Sequence, residues 1–218
     1  MSTWQRFLDA GRTLGPSPGV REAWHQGRGS YAVWALLLDD EVAGGQLRAR
    51  ADAVAAAVAP LGVRPVRQLH VTVFVAGFPA LVATRPDDVA TVRLARQLGR
   101  ARAAAGPLAL EVGGASSFQT CAMLEVTPVG DALARLRAAL TAEAPEVRFA
   151  PYQPHVTAAI YDHDGPAAPV AAALAPLRDL PPLRVAPARL DLVVFDAARD
   201  GAPLRPVAGV ALSGQGSA

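Results

Sequence analysis

The tripeptide His-Val-Thr occurs twice in the chain, at His70-Val71-Thr72 and at His155-Val156-Thr157, each copy inside a short apolar run. An extended strand sends alternate side chains to one face, so the His and Thr of each copy point together. Two such strands facing across a cleft would offer two imidazoles and two hydroxyls to one small anionic centre. Imidazole can take or give a proton near neutrality. One ring could therefore deprotonate a nucleophile attacking phosphorus while the other protonates the departing oxygen. Thr72 and Thr157 are the candidate phosphate-binding groups, their hydroxyls aimed at the non-bridging oxygens where charge develops. With only four His in 218 residues, chance is a poor explanation for the pairing.

The surroundings of the two copies match as well. A buried-strand run, Val33 to Leu38, precedes an Ala-rich stretch with helical spacing (Leu47, Ala51, Val54, Val58), and His70 follows Leu38 by 32 residues. In the second half Ala122 to Val126 reads as a strand and Leu133, Leu136, Arg137 and Leu140 as a helix, with His155 29 residues after Val126. This is a degenerate strand–helix–strand repeat. Halves related by a pseudo-two-fold axis place equivalent residues symmetrically, as a two-histidine site requires.

These motifs resemble those of the 2H phosphoesterase superfamily, in particular its RNA 2′,3′-cyclic phosphodiesterase and 2′-5′ RNA ligase-like branch. Leu69-His70-Val71-Thr72-Val73-Phe74-Val75-Ala76-Gly77 is similar to the family's first motif, and Tyr152-Gln153-Pro154-His155-Val156-Thr157-Ala158 to its second. Gly113-Gly114-Ala115-Ser116-Ser117-Phe118 resembles the Gly-containing turn before the second lobe's strand. The resemblance covers about residues 30–197. It implies an α+β fold of two pseudo-symmetric lobes, each a mixed or antiparallel sheet flanked by outer helices, around a central cleft. It also implies metal-independent opening of 2′,3′-cyclic phosphates of RNA ends or nucleotides to a 2′-phosphate, with reversal giving 2′-5′ ligation. His70 and His155 would divide the catalytic roles, His155 as base and His70 as acid, with neither cofactor nor metal.

Composition sets the outer bounds. Residues 1–29 are expected to form a helical extension and residues 30–213 the two-lobed domain, ahead of a disordered tail at 214–218. Lobe one is placed at about 30–78 plus 183–212, and lobe two at about 107–161. No apolar run approaches the roughly 20 residues that cross a bilayer, and the N-terminus lacks a signal-peptide layout. A cytoplasmic monomer with no membrane partner is the expectation. All 21 basic residues are Arg and the net charge is +2, so a nucleotide or an RNA end suits the chain better than a long duplex. Absence of Lys excludes covalent lysyl-nucleotide chemistry. Arg93, Arg96, Arg100 and Arg102 fall on one helical stretch, most simply a solvated face. Cys121 reads as a buried small residue.

Phe149, Tyr152 and Tyr161 flank the second motif and are candidates for stacking on a base, with packing as the competing role; Phe74 and Phe78 after the first motif stand likewise. His25 and His163 read as loop residues, although Asp162-His163-Asp164 hints at a metal corner. The competing function is a binding module that holds a nucleotide or RNA end in the same cleft without turnover. Intact His and Thr in both motifs favour the enzyme.

Overall fold

The computed structural model describes residues 1–38, 42–148 and 150–212. The chain opens with helix α1 (Thr3–Ala10), capped by the Ser2 hydroxyl and ended by Gly11 in the left-handed region, then strand β1 (Arg12–Thr13) and helix α2 (Pro18–His25). Strand β2 (Ser30–Leu37), helix α3 (Gln46–Val58), strand β3 (Val63–Pro65) and strand β4 (His70–Ala80) follow. A short β5 (Asp88–Ala90) runs into helix α4 (Thr91–Ala104), then strands β6 (Ala109–Ser117) and β7 (Cys121–Val129). Helix α5 (Ala132–Thr141) and strand β8 (His155–Tyr161) complete the second repeat. The chain closes with β9 (Gly165–Pro166), α6 (Ala167–Leu174), β10 (Leu183–Val185), β11 (Arg189–Asp196) and β12 (Arg205–Ala211).

Two five-stranded sheets result, ordered β12-β11-β2-β4-β5 and β10-β6-β7-β8-β3. Every pairing in them is antiparallel except β4 with β5. The helices cross over between repeats. Helix α3, from the first repeat, packs on β7 and β8, while α4 and α5 pack on β4. One apolar core therefore runs through both halves, joining Trp34 and Val71 of one sheet to Leu124 and Val156 of the other. Within it the Trp34 indole donates to Gln97 Oε1 at 2.9 Å, and the Gln97 amide donates to the Leu140 carbonyl at 3.1 Å. A buried Gln so satisfied ties β2, α4 and α5 together. The four arginines of α4 stand on its exposed side, as a solvated face requires. None of the described helices is long and apolar enough to cross a membrane.

Three expectations need correction. The segment 183–212 does not return as a whole to the first sheet: β10 pairs with β6 in the second, and only β11 and β12 join the first. Pro187, which has no amide hydrogen to donate, stands in the break between β10 and β11. Gly113 and Gly114 are not a turn but a register shift inside β6, between Val112 and Ala115. Residues 1–29 are not a detached extension. Phe7 is 2% exposed in the main core, and β1 pairs with β9. Trp24 packs on Tyr31 and Phe78 of the first sheet. The expected tail at 214–218 lies outside the described residues.

The turn Asp162-His163-Asp164 anchors this N-terminal segment. The Gly15 amide donates to Asp164 at 2.9 Å, and Arg12 forms an ion pair with the same carboxylate. Gly15 lies so close that an added Cβ would fall 2.5 Å from the His163 Cα. Backbone cannot yield as a side-chain tip can. Gly15→Ala is therefore expected to destabilise the protein by about 1–2 kcal/mol and to raise amide exchange in residues 12–17. Thermal unfolding and hydrogen exchange check this; wild-type protection in that segment would refute it.

Candidate active site

Each motif histidine is the first residue of its strand, His70 on β4 and His155 on β8, and these strands meet across the cleft. His70 Nδ1 lies 2.9 Å from the Gln68 carbonyl oxygen, and His155 Nδ1 lies 2.8 Å from that of Gln153. A carbonyl oxygen only accepts, so Nδ1 carries the proton in both rings and Nε2 is left to work in the cleft. The repeat thus extends two residues further back than the tripeptide. The sequence is Gln-x-His-Val-Thr in both halves, a signal that the tripeptide alone understates.

Both histidines line one cavity of about 880 Å³, together with Thr72, Thr120 and Arg148. Burial lowers the pKa of both rings below 6.5, against the upward pull of their carbonyl partners. His155 is lowered further by the nearby His70 and Arg148. The Phe118 and His155 rings meet edge to face, their centroids 4.9 Å apart and their planes at 85°, which holds the imidazole's orientation.

Thr72 stands on the cavity wall. Thr157 shares the strand face of His155; it is not among the residues lining this cavity, and its hydroxyl contacts the Cys121 thiol. Cys121 is buried in β7, and its thiol is pushed up to about 11 by that burial. Thr120, in the turn before β7, lines the cavity instead, a position that no local pattern singled out.

The aromatic candidates fare differently again. The Tyr152 ring is covered by the Arg137 guanidinium at 3.6 Å, and its hydroxyl donates to the Thr72 carbonyl at 3.1 Å. It braces the first motif. Tyr161 is 2% exposed, its hydroxyl 2.6 Å from Ser117 Oγ inside the core. Phe74 and Phe78 are buried as well. Phe149 lies outside the described residues. His25 accepts from the Gly27 amide at 3.0 Å and closes a turn.

Arg148 is the cation that sequence reading missed. Its Nε donates to Glu146 at 2.9 Å. Glu146 also receives Arg137 at 2.7 Å and the Val75 amide of β4 at 3.0 Å. Burial raises the Glu146 pKa, but its three donors outweigh that and hold it below 4.5. One carboxylate thus fixes a cavity-facing guanidinium to the strand that carries His70.

Two curled, mostly antiparallel sheets with a histidine strand from each at a shared cleft define a 2H phosphoesterase fold. A family model described as the 2′-5′ RNA ligase superfamily matches residues 38–199, and the chain belongs to that superfamily. Solved structures carry the same fold at low identity. The Thermus thermophilus protein TT0787 superposes with a TM-score of 0.59 at 18% identity, over 85% of this chain and 99% of that one. The E. coli LigT complex with NADP+ gives a TM-score of 0.55 at 18% identity, over 85% of this chain and 99% of LigT. The LigT complex with 3′-AMP gives 0.54 at 16% identity, over 84% and 98%. No curated protein sequence matches the chain.

Proposed function

We propose that the protein opens 2′,3′-cyclic phosphates to 2′-phosphates by two-histidine acid–base catalysis. Superfamily membership supports phosphodiesterase or ligase-like chemistry in general. The observation that carries the finer reading is the matched pair of imidazoles, each tied through Nδ1 to the carbonyl two residues back and each free at Nε2 in one cavity. LigT, which shares the fold, has been solved with 3′-AMP, in keeping with a nucleotide-sized ligand.

In the forward direction His155 takes a proton from water as the water oxygen bonds to phosphorus. The bond from phosphorus to the ribose 3′-oxygen breaks, and His70 gives that oxygen its proton. Arg148 supports this division, because a neighbouring positive charge disfavours protonated His155 and suits it to the base role. Thr72 and Thr120 stand on the wall where non-bridging oxygens would lie. When a 5′-hydroxyl terminus replaces water as the nucleophile, the same ring opening forms its bond to phosphorus as the 3′-oxygen leaves, and a 2′-5′ linkage results. Neither reaction requires a metal, since both proton transfers and the anion contacts come from side chains.

The deciding experiment is phosphorus NMR of adenosine 2′,3′-cyclic monophosphate with the protein in EDTA. Loss of the cyclic resonance with growth of the 2′-monophosphate is expected. A cyclic resonance that persists, for this compound and for an oligonucleotide ending in the cyclic phosphate, would reduce the cleft to a binding site.

The pH profile follows from the lowered pKa values. The productive state has one ring protonated and one neutral. Because both rings titrate below 6.5, at pH 7 most free enzyme holds two neutral rings. Acidification populates the productive state until the second ring also protonates. The value of kcat/KM should follow a bell whose alkaline limb falls below pH 6.5, and an alkaline limb above 7 would contradict it.

A further inference from the structure

We propose that the N-terminal segment 12–24 makes the cleft a one-nucleotide site, in which Trp24 and Phe195 take the base of the nucleotide whose cyclic phosphate lies between His70 and His155. This rests on the phosphodiesterase reading for the phosphate and goes beyond it in naming what the rest of the cavity holds.

The cavity of about 880 Å³ is much larger than a phosphate needs, and the remainder is walled by residues outside the two motifs. One wall is the N-terminal segment, through Leu14, Pro16, Val20 and Trp24; the wall from the opposite end of the chain includes Phe195 and Leu204. These are apolar surfaces in a space continuous with both histidines, of the size that takes a small molecule. Among the described residues two aromatic rings face the space, and both are braced. Trp24 leans on Tyr31 at 4.7 Å and Phe195 leans on it at 5.6 Å. A fixed aromatic wall beside an anion centre is what a base attached to a phosphate uses.

The segment is tied down at several points. The Leu14 amide donates to the Gln119 carbonyl at 2.7 Å, on the second lobe. From α2, Arg21 pairs with Asp200 at 2.8 Å, and Asp200 pairs with Arg64 at 2.6 Å. Arg28, beyond α2, pairs with Asp87 at 2.7 Å and Asp88 at 2.8 Å near the end of β4. The segment thus bridges the two lobes at the cleft. The family match begins only at residue 38, so this wall stands outside the part of the chain that defines the superfamily.

Charge argues against a polynucleotide running past that wall. Grip on a chain of phosphates needs several uncommitted cations. Of the three guanidiniums among the described residues lining the cavity, Arg21 is committed to Asp200 and Arg148 to Glu146, which leaves Arg199 alone without a carboxylate partner, one cation where several are needed. The carboxylates of Asp164 and Asp200 line the same cavity. The electrostatics suit one phosphate at the histidines and an uncharged group beyond it.

The test is equilibrium binding of three probes to the full-length protein: adenosine 2′-monophosphate, ribose 2-phosphate without a base, and an oligoadenylate ending in a 2′-phosphate. The base is expected to tighten binding about tenfold over ribose phosphate, and the oligonucleotide to bind no tighter than the mononucleotide. Trp24→Leu should close most of that gap. Val20→Glu should do the same without risk to the core, since Val20 is 70% exposed. Val92→Glu, a change at an exposed valine of α4 away from the cavity, should leave the gap intact. An oligonucleotide that binds tenfold tighter than the mononucleotide would overturn the proposal, as would a base preference that survives both cavity variants or no base preference at all. Should the expected pattern appear while adenosine 2′,3′-cyclic monophosphate stays uncleaved, the one-nucleotide site stands and the catalytic reading falls.

Discussion

His155→Ala is expected to lower kcat/KM for a 2′,3′-cyclic nucleotide by about 10²–10⁴-fold, the range ordinarily lost with a general acid or base, and His70→Ala by a similar factor. Neither change should unfold the protein. Each ring is only part-buried and makes one backbone hydrogen bond, worth about 1 kcal/mol, so a thermal midpoint near wild type is the control. The two variants separate on a diester with an acidic leaving group such as 4-nitrophenol. That oxygen departs without a proton, so loss of the acid matters little. His70→Ala should recover much of its deficit on such a substrate, while His155→Ala should stay impaired because water still needs its base. Recovery in His155→Ala alone would reverse the assignment, and recovery in neither would mean that the rings do not divide the work in this way.

The parts of this site that could be read from sequence are those encoded locally. Alternation along a strand puts residues i and i+2 on one face, so each His-Val-Thr announced its own geometry, and repetition announced that two such faces meet. The same rule could not say what Thr157 meets. A shared face says nothing of what lies opposite, and here the hydroxyl meets Cys121 on the neighbouring strand while Thr120 reaches the cavity. Tyr152 and Tyr161 looked like base contacts because they flank a motif. Both are taken up by partners distant in sequence, Tyr152 by Arg137 and the Thr72 carbonyl, Tyr161 by Ser117. The aromatic rings among the described residues that face the cavity, Trp24 and Phe195, stand 171 positions apart, and no periodicity links them. The break at Pro187 was not read from the sequence, and the choice of different sheets for the strands on its two sides depends on which edges are open, a property of the assembled fold.

The Glu146 cluster is the part of the site with the greatest structural cost of removal. Glu146→Ala is expected to destabilise the protein by about 3 kcal/mol, the lower end of what breaking a buried ion pair costs. Its side chain is 12% exposed, and its loss would strand Arg137 and Arg148, both about 20% exposed, with the Val75 amide. Arg137 also donates to the Val73 carbonyl and covers Tyr152, so the first motif's strand would loosen with it. Urea unfolding measures the loss. A change below about 1 kcal/mol would show that solvent replaces the carboxylate at little cost. The pH dependence carries a second test of the same cluster. Glu146 is held below its ordinary 4.5 in the folded protein, so its contribution is complete above about 4.5 and disappears as pH falls through the folded value. Wild type should therefore lose stability on acidification more steeply than Glu146→Gln, which has no charge to lose. At neutral pH Gln keeps an acceptor for the Val75 amide but leaves two guanidiniums without a counter-charge, so its stability should lie between those of wild type and Glu146→Ala. Activity should follow the guanidinium rather than the fold. Even where Glu146→Gln is fully folded, Arg148 keeps only a neutral acceptor, the oxygen it shares with the Val75 amide, and loses the counter-charge that holds it in the cavity beside His155, so binding of a phosphate monoester should weaken more than the stability loss alone would require.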